Sequence, residues 1–184
     1  MQETDKDIFA KDAQDYLPVF NRYKIVLDHG EGAYLWDING KKYLDFLGGI
    51  AVNVLGPDYG PLVPAISEQA KKLIHCSNLY YTQPQADAAA KLVALSGLDK
   101  AFFGNSGAEA NEGAIKIARK YAHQIDPEKS QIIPAWDSFH GRTIATLTAT
   151  GQPKIDEGFG PLPEGLDYFD YNDIEEHESM NREQ

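Results

Sequence analysis

The residues with the clearest chemical potential form a predicted strand, turn and helix start, Phe102-Phe103-Gly104-Asn105-Ser106-Gly107-Ala108-Glu109. Ser106 with Glu109 three residues later is the S-x-x-E capping pattern: the Ser106 hydroxyl caps the helix, and Glu109 reaches back to the Ser106 N–H. Gly104 and Gly107 carry no side chains where the backbone turns, so free N–H groups and the positive end of the helix dipole point outward together. A phosphate group fits there. The same residue types also occur in turns that only cap a helix, so both interpretations stay open.

A second segment with chemical potential is Asp137-Ser138-Phe139-His140-Gly141-Arg142-Thr143. It follows a predicted strand, at the position where open α/β sheets bind ligands. Phe139 offers an aromatic face for a planar ring, and Arg142 offers a planar fork that binds a carboxylate through two parallel hydrogen bonds. The alternative is that Phe139 belongs to the core and Arg142 to a surface ion pair. Two such loops at adjacent strand ends favour the functional interpretation.

The elements that must position these segments form an α/β pattern. A short apolar strand at residues 101–103 leads into a helix over residues 108–123, which is half of a βαβ unit. A parallel strand is expected at residues 131–136, although Pro134 lacks an N–H and disfavours a central position in the sheet. Residues 144–150 are ambiguous, since their threonines favour a strand and their spacing also fits a helical face.

The preceding part of the chain predicts a β-meander followed by helices. Strand patterns over residues 24–46 are separated by a Gly30/Gly32 turn and by Asn39-Gly40, which suits a type I′ hairpin. Residues 48–62 form an irregular, glycine-rich and proline-rich connection. Helices are predicted over residues 64–74 and near residues 85–96, with Gly97 ending the second.

The two ends of the chain show little core-forming pattern. Residues 1–19 are polar and predict a loosely held arm, with Tyr16, Leu17, Val19 and Phe20 as candidate anchors. The acidic residues 173–184 include no closing apolar element. Because parallel strands are normally buried on both faces, we expect the sheet to be incomplete and the chain to be cut from a longer one.

The composition disfavours several classes of function. With 17 Lys and Arg against 28 Asp and Glu, the net charge of −11 leaves no basic stripe for nucleic acid. No apolar run approaches the roughly 18 residues of a membrane span, and the N-terminal residues lack a signal-peptide pattern. These observations predict a cytoplasmic protein. A single cysteine, Cys76, excludes an internal disulfide, offers no paired thiolates for a metal, and is interpreted as a small buried hydrophobe.

Several motifs together resemble the acetylornithine/ornithine branch of the class III pyridoxal-phosphate aminotransferases. The motifs are Phe103-Gly104-Asn105-Ser106-Gly107-Ala108-Glu109-Ala110-Asn111-Glu112, Lys116-Ile117-Ala118-Arg119-Lys120-Tyr121 and Ser138-Phe139-His140-Gly141-Arg142-Thr143. The resemblance implies a fold-type I transferase, an α/β fold that is incomplete here. It would comprise an arm at residues 1–20, part of a small domain at 21–75, and the start of a mostly parallel, cofactor-binding large domain at 76–184.

The resemblance also implies roles for single residues. Ser106, Gly107 and Ala108 would hold the 5′-phosphate of pyridoxal phosphate, Phe139 would stack on its ring, and Arg142 would bind the α-carboxylate of an amino-acid substrate. Asn78 and Tyr80 resemble residues at the substrate entrance or the dimer interface, and His140 would shape the loop. The family's Schiff-base lysine, the aspartate at the ring nitrogen and a phosphate-binding threonine have no counterpart up to Gln184, so no catalytic residue is assigned in this chain.

The function that the resemblance implies is transfer of the δ-amino group of N-acetylornithine, or ornithine, to 2-oxoglutarate, in arginine biosynthesis, by a homodimer. Other amino donors of class III enzymes, succinylornithine and 4-aminobutyrate, remain open. So do a non-catalytic module that binds a phosphorylated ligand and an interaction protein that uses the family's dimer surface. One departure from the family is Gly56-Pro57-Asp58-Tyr59-Gly60-Pro61, where relatives carry Gly-His-x-His-Pro.

Overall fold

A computed structural model describes residues 4–183. Contacts between Cα atoms divide the chain into two compact units, Met1–Tyr80 and Tyr81–Gln184. The division into an arm, a small-domain part and a large-domain part remains a prediction. None of the helices within the described residues is long and apolar enough to cross a membrane.

The first unit begins with a helix that the sequence analysis missed. Helix α1 covers Asp5–Asp15, and the Thr4 side chain accepts a hydrogen bond from the Asp7 N–H while the Asp7 carboxylate accepts from Thr4. This reciprocal cap gives a polar segment a defined start, so the segment is helical. No residue of α1 is buried, and a loosely held arm stays a prediction. The proposed anchors were wrong, since Leu17 is 73% exposed and Tyr16, Val19 and Phe20 are exposed as well.

The predicted meander is confirmed as a three-stranded antiparallel sheet. Its strands are β1 (Leu27–Glu31), β2 (Tyr34–Asp37) and β3 (Lys42–Leu44), in the order β1-β2-β3. The first strand begins at Leu27, later than its apolar residues suggested. It ends at Glu31, which pairs with Tyr34 across a two-residue turn. A bulge between Leu27 and His29 interrupts the register.

The turn between β2 and β3 differs from the predicted type I′ hairpin. Gly40 has a φ of 81°, whereas Asn39 is not left-handed, so only one of the two required positive φ values is present. The nearly buried Asp37 carboxylate organises this turn instead, accepting hydrogen bonds from the Asn39 N–H, the Lys41 N–H and the Tyr43 hydroxyl at 2.8–2.9 Å. The Tyr43 hydrogen bond is the main cause of a lowered pKa for Asp37.

The glycine-rich connection packs against the meander. It starts with α2, a single turn over Gly48–Ala51 in which all four residues have φ between 53° and 64° and the helix is therefore left-handed. Further on, Pro57 lies so close to Gly30 that a Cβ on that glycine would be 2.4 Å from the proline Cγ. Pro57 thus occupies space beside the first hairpin, at the position where the sequence departs from the family that it resembles.

The predicted helices of the middle region are present. Helix α3 covers Leu62–Lys72 and α4 covers Gln83–Ser96, within two residues of the predicted boundaries. Gly97 ends α4 in the left-handed conformation with a φ of 71°, as predicted. Between them Cys76 is half-buried, which corrects its interpretation as a buried residue.

The predicted parallel sheet of the second unit is only partly formed. Two isolated parallel bridges join Ile132 to Leu166 and Ala135 to Phe169. The Pro134 carbonyl accepts a hydrogen bond from the Phe169 N–H, so the proline takes part in this pairing without its own N–H. The predicted strand at residues 101–103 is irregular, because none of the described residues pairs with it.

The best-buried segment of the second unit resolves the ambiguity at residues 144–150 in favour of a helix. Helix α5 covers Gly107–Ile125, α6 covers Ile144–Ala149, α7 covers Pro153–Asp156 and α8 covers Ile174–Glu183. Leu147 and Ala149 are buried in α6 together with its threonines. The Thr148 and Thr150 hydroxyls donate to carbonyls four residues back at 2.8 Å, which satisfies the buried threonines within the helix.

Candidate functional site

The N-terminus of α5 has the predicted serine cap but only half of the predicted capping box. The Ser106 hydroxyl accepts a hydrogen bond from the Glu109 N–H at 3.2 Å. The Glu109 carboxylate accepts from the main-chain and side-chain N–H groups of Asn105, not from the Ser106 N–H. The Ser106 N–H therefore lacks the Glu109 carboxylate as an acceptor.

Three consecutive N–H groups are therefore available at this helix end. The N–H groups of Ser106, Gly107 and Ala108 have no acceptor among the described residues. A Cβ placed on Gly107 would meet no atom within 4 Å, so the space beside the turn is open. Such N–H groups, together with the positive end of the helix dipole, are what a phosphate or another anion requires of a binding site.

Hydrogen bonds to α6 and to the residues that follow it hold the loop at residues 138–143 in place. The Ser138 hydroxyl donates to the Ala149 and Thr150 carbonyls at 3.3 and 3.2 Å. The His140 N–H donates to the Thr150 hydroxyl at 3.0 Å, and the Gln152 side chain donates to the Ser138 carbonyl at 2.7 Å. The His140 ring nitrogen Nδ1 also contacts the Ser138 hydroxyl at 3.2 Å, so the contact of its imidazole lies within the loop.

The loop and the N-terminus of α5 are in direct contact. Gly141 has a φ of 137°, and a Cβ on it would lie 2.6 Å from the Cβ of Ala108. Only glycine allows the backbone to approach the helix this closely. The structure thus brings together the two segments that the sequence singled out.

The side chains of Phe139 and Arg142 are free to contact a ligand. Phe139 is 65% exposed, and no hydrogen bond or ion pair joins the Arg142 guanidinium to a described residue. Within residues 4–183, neither the core position of Phe139 nor the surface ion pair of Arg142, the two alternatives considered above, is present. An open ring face, a free guanidinium and three unpaired N–H groups fit a phosphorylated aromatic cofactor with a carboxylate substrate.

Sequence reasoning missed the residues that attach the loop to α5. Asn111 donates its side-chain N–H to the His140 carbonyl at 2.7 Å, and the Thr143 hydroxyl donates to the Glu112 carboxylate. The sequence contained one indication of this contact surface, namely the spacing of Ala108, Asn111 and Glu112. Residues at i, i+3 and i+4 lie on the same face of a helix. Asn78 and Tyr80 belong to the first unit, and their role near a substrate remains a prediction.

An open helix N-terminus beside an exposed aromatic ring is typical of sites for phosphorylated cofactors, and comparison with known proteins specifies the family. The model described as Aminotransferase class-III matches residues 18–184. The chain belongs to the class III aminotransferases.

The chain is similar to enzymes named acetylornithine aminotransferase. It is 55% identical over 161 residues to the one from Methanocaldococcus jannaschii, covering 87% of this chain and 40% of the relative. The similarity to the one from Caldanaerobacter subterraneus is 54% over 160 residues, covering 86% of this chain and 41% of the relative. The chain thus spans about two fifths of the length of these curated relatives.

Solved structures support the predicted fold-type I class. An ornithine aminotransferase from Toxoplasma gondii superposes with a TM-score of 0.93 at 30% identity, covering 98% of this chain and 44% of that one. Acetylornithine aminotransferase from Elizabethkingia anophelis superposes with a TM-score of 0.80 at 27% identity, covering 100% of this chain and 42% of that one. Class III aminotransferases use pyridoxal phosphate, and another structure of the Toxoplasma enzyme is described as having partial occupancy of this cofactor at the active site.

Proposed function

We propose that the protein containing this chain is a cytoplasmic, homodimeric aminotransferase that moves the δ-amino group of N-acetylornithine, or of ornithine, to 2-oxoglutarate in arginine biosynthesis. Support for the donor comes from the names of the relatives, which are acetylornithine aminotransferases at 50–55% identity. Support for the cofactor comes from the family and from the open N-terminus of α5.

The observation that carries the proposal is the convergence of three binding features. Unpaired N–H groups of Ser106, Gly107 and Ala108 lie beside the Gly141 contact, and the same loop presents the free side chains of Phe139 and Arg142. In the proposed enzyme these N–H groups hold the 5′-phosphate and Phe139 covers the ring. Pyridoxal phosphate, when bound, supplies the electron sink for the transfer.

Arg142 is the residue proposed to select the amino donor. Its planar guanidinium would bind the α-carboxylate of the substrate through two parallel hydrogen bonds. This role favours acetylornithine, ornithine or succinylornithine over 4-aminobutyrate, which has no α-carboxylate. With the α-carboxylate held at Arg142, the length of the donor chain would set how far from Arg142 the distal amino group can reach.

The decisive experiment is a donor screen on the full-length protein and on its Arg142→Lys variant. We expect N-acetylornithine or ornithine to be the preferred donor. The lysine keeps the charge but loses the bidentate geometry, so the KM for that donor should rise about tenfold or more. Arg22→Lys, which alters an exposed arginine paired with Asp12 in the first unit, is the matched control. A donor preference for 4-aminobutyrate, or an unchanged KM in Arg142→Lys, would reject this proposal.

A second candidate function, binding of a phosphorylated ligand without catalysis, is favoured by the unpaired N–H groups alone. It applies to the 184-residue polypeptide by itself. Calorimetric titration with pyridoxal phosphate and with inorganic phosphate tests it. Saturable binding of either is the expected result, and no saturation at millimolar ligand rejects the idea.

A further inference from the structure

The loop that carries Phe139 and Arg142 is held to α5 by three of its other residues. Its anchored positions are His140, Gly141 and Thr143, which contact α5 through a carbonyl, a close backbone approach and a hydroxyl, respectively. Phe139 and Arg142 lie directly beside these anchored positions, and their own side chains are free. The anchors therefore fix the backbone from which the two proposed ligand-binding side chains extend.

All three contacts converge on one face of α5. Ala108 meets Gly141, Asn111 donates to the His140 carbonyl at 2.7 Å, and the Glu112 carboxylate accepts from Thr143. Ala108 also belongs to the group of unpaired N–H donors. One rigid helix thus carries the anion site at its first turn and the attachment of the loop on its first and second turns.

We propose that Asn111 and Glu112 are positioning residues, which hold the loop at residues 138–143 so that Phe139 and Arg142 stand at a fixed place relative to the N–H groups of Ser106, Gly107 and Ala108. This inference rests on the proposed function. Neither Asn111 nor Glu112 contacts the cofactor in this arrangement. Their effect on binding passes through the loop, with Asn111 acting at the Phe139 side and Glu112, through Thr143, at the Arg142 side.

The Asn111 role is tested by Asn111→Asp in the full-length protein, because aspartate has the same shape but presents an acceptor to the His140 carbonyl. Affinity for pyridoxal phosphate, measured by fluorescence titration, should fall roughly tenfold. Affinity for inorganic phosphate, measured by calorimetry, should stay within about twofold, since the N–H groups themselves are unchanged. Gln124→Glu is the control, because it makes the same charge change at an exposed position on the same helix.

The Glu112 role is tested by two matched pairs. Glu112→Ala and Thr143→Val remove the hydrogen bond, whereas Glu112→Gln and Thr143→Ser keep an acceptor and a hydroxyl. We expect the first two to raise the KM for the amino donor about tenfold, with a smaller change in kcat, and the second two to restore the KM. Adding Glu112→Ala to Thr143→Val should raise the KM no further than Thr143→Val alone, because the valine already removes the hydrogen bond to Glu112, together with the contact between the Thr143 and Thr146 hydroxyls at 2.7 Å.

The outcomes separate the inference from the function on which it rests. If the unaltered protein binds no pyridoxal phosphate, both fail. If it binds and the variants bind as well as it does, the inference alone fails. A parallel loss of affinity for pyridoxal phosphate and inorganic phosphate, or a lowered Tm with unchanged affinities and KM, also overturns it, since these results indicate a merely structural role.

Discussion

Ser106 has two separable properties at the residue scale. Its hydroxyl caps α5 by accepting from the Glu109 N–H, while its own N–H is unpaired. Helix stability depends on the first property, and anion binding depends on the second. A substitution that preserves the cap and adds a negative charge therefore distinguishes them.

Ser106→Asp should keep the stability of the full-length protein within about 0.5 kcal/mol, because aspartate caps helices about as well as serine. The added carboxylate repels a phosphate, so binding of pyridoxal phosphate should be lost. Thermal unfolding and fluorescence titration measure the two effects. Thr82→Asp, at the start of α4 where Thr82 makes no side-chain cap, controls for the added charge. Retained binding in Ser106→Asp would show that the N-terminus of α5 does not hold the phosphate.

Asp37 and Tyr43 predict a pH dependence of stability. Their hydrogen bond is the main cause both of the lowered pKa of Asp37 and of the raised pKa of Tyr43. The Asp37 contribution to stability is present above its ordinary value of 3.8 and is lost as the pH falls through the lowered folded-state value. The Tyr43 contribution is present below its ordinary value of 10.0 and is lost as the pH rises through the raised one.

Tyr43→Phe should move the acid unfolding midpoint of the first unit to higher pH, because Asp37 loses its main stabilising partner. Below the lowered pKa of Asp37, substituted and unaltered protein should be more nearly equal in stability. Circular dichroism as a function of pH measures the midpoint, and carboxyl NMR reports the pKa directly. Tyr23→Phe, at an exposed tyrosine, is the control. An acid midpoint that does not move would contradict the assigned cause of the pKa shift.

At the scale of elements, the contact between α5 and the loop depends on Gly141. Gly141→Ala should destabilise the second unit by about 1–3 kcal/mol beyond its backbone strain, because the new Cβ overlaps Ala108. Gly158→Ala is the matched control, since Gly158 also has a positive φ, of 85°, but a Cβ there meets nothing within 4 Å. Urea unfolding measures both. Equal effects at the two glycines would refute a close contact between loop and helix.

Some elements were predictable because their signals are local. Helices α3, α4 and α5 follow from apolar spacing, a capping serine and a terminal glycine, all within a few residues. The strand expected at residues 101–103 was not predictable in the same way, since a strand exists only when a distant segment pairs with it. The ambiguous residues 144–150 became a helix because their threonine hydroxyls find acceptors one turn back.

At the scale of the whole molecule, the accessible surface is larger than the mass predicts. It amounts to 15135 Å², whereas a compact protein of 20.4 kDa exposes about 8,800 Å² and two independent units of half that mass about 10,600 Å². Much of the excess is apolar, with exposed residues such as Phe46, Ile74 and Tyr81. Such a surface favours association.

The 184-residue polypeptide on its own should therefore bind the dye ANS and elute as associated species. Light scattering coupled to size-exclusion chromatography measures the mass, and fluorescence measures the dye. Full-length protein expressed in parallel is the reference, with weaker ANS binding expected per chain. A monomeric 184-residue polypeptide with no ANS binding and a sharp thermal transition would contradict this prediction.

The sequence by itself determined the bounds of α3, α4 and α5 to within two residues, the meander and the two motif segments of the candidate site, because caps, turns and periodicity act over short distances. It also carried the motifs that identify the family. The tertiary structure alone decided that Glu109 takes the Asn105 N–H and leaves that of Ser106 free, and that Gly141 contacts Ala108. The Gly141 contact and the hydrogen bonds of Asn111 and Glu112 join segments about 30 residues apart, which no local pattern encodes. The Glu109–Asn105 hydrogen bond spans only four residues, and it reflects a choice of the Glu109 carboxylate between two neighbouring N–H groups.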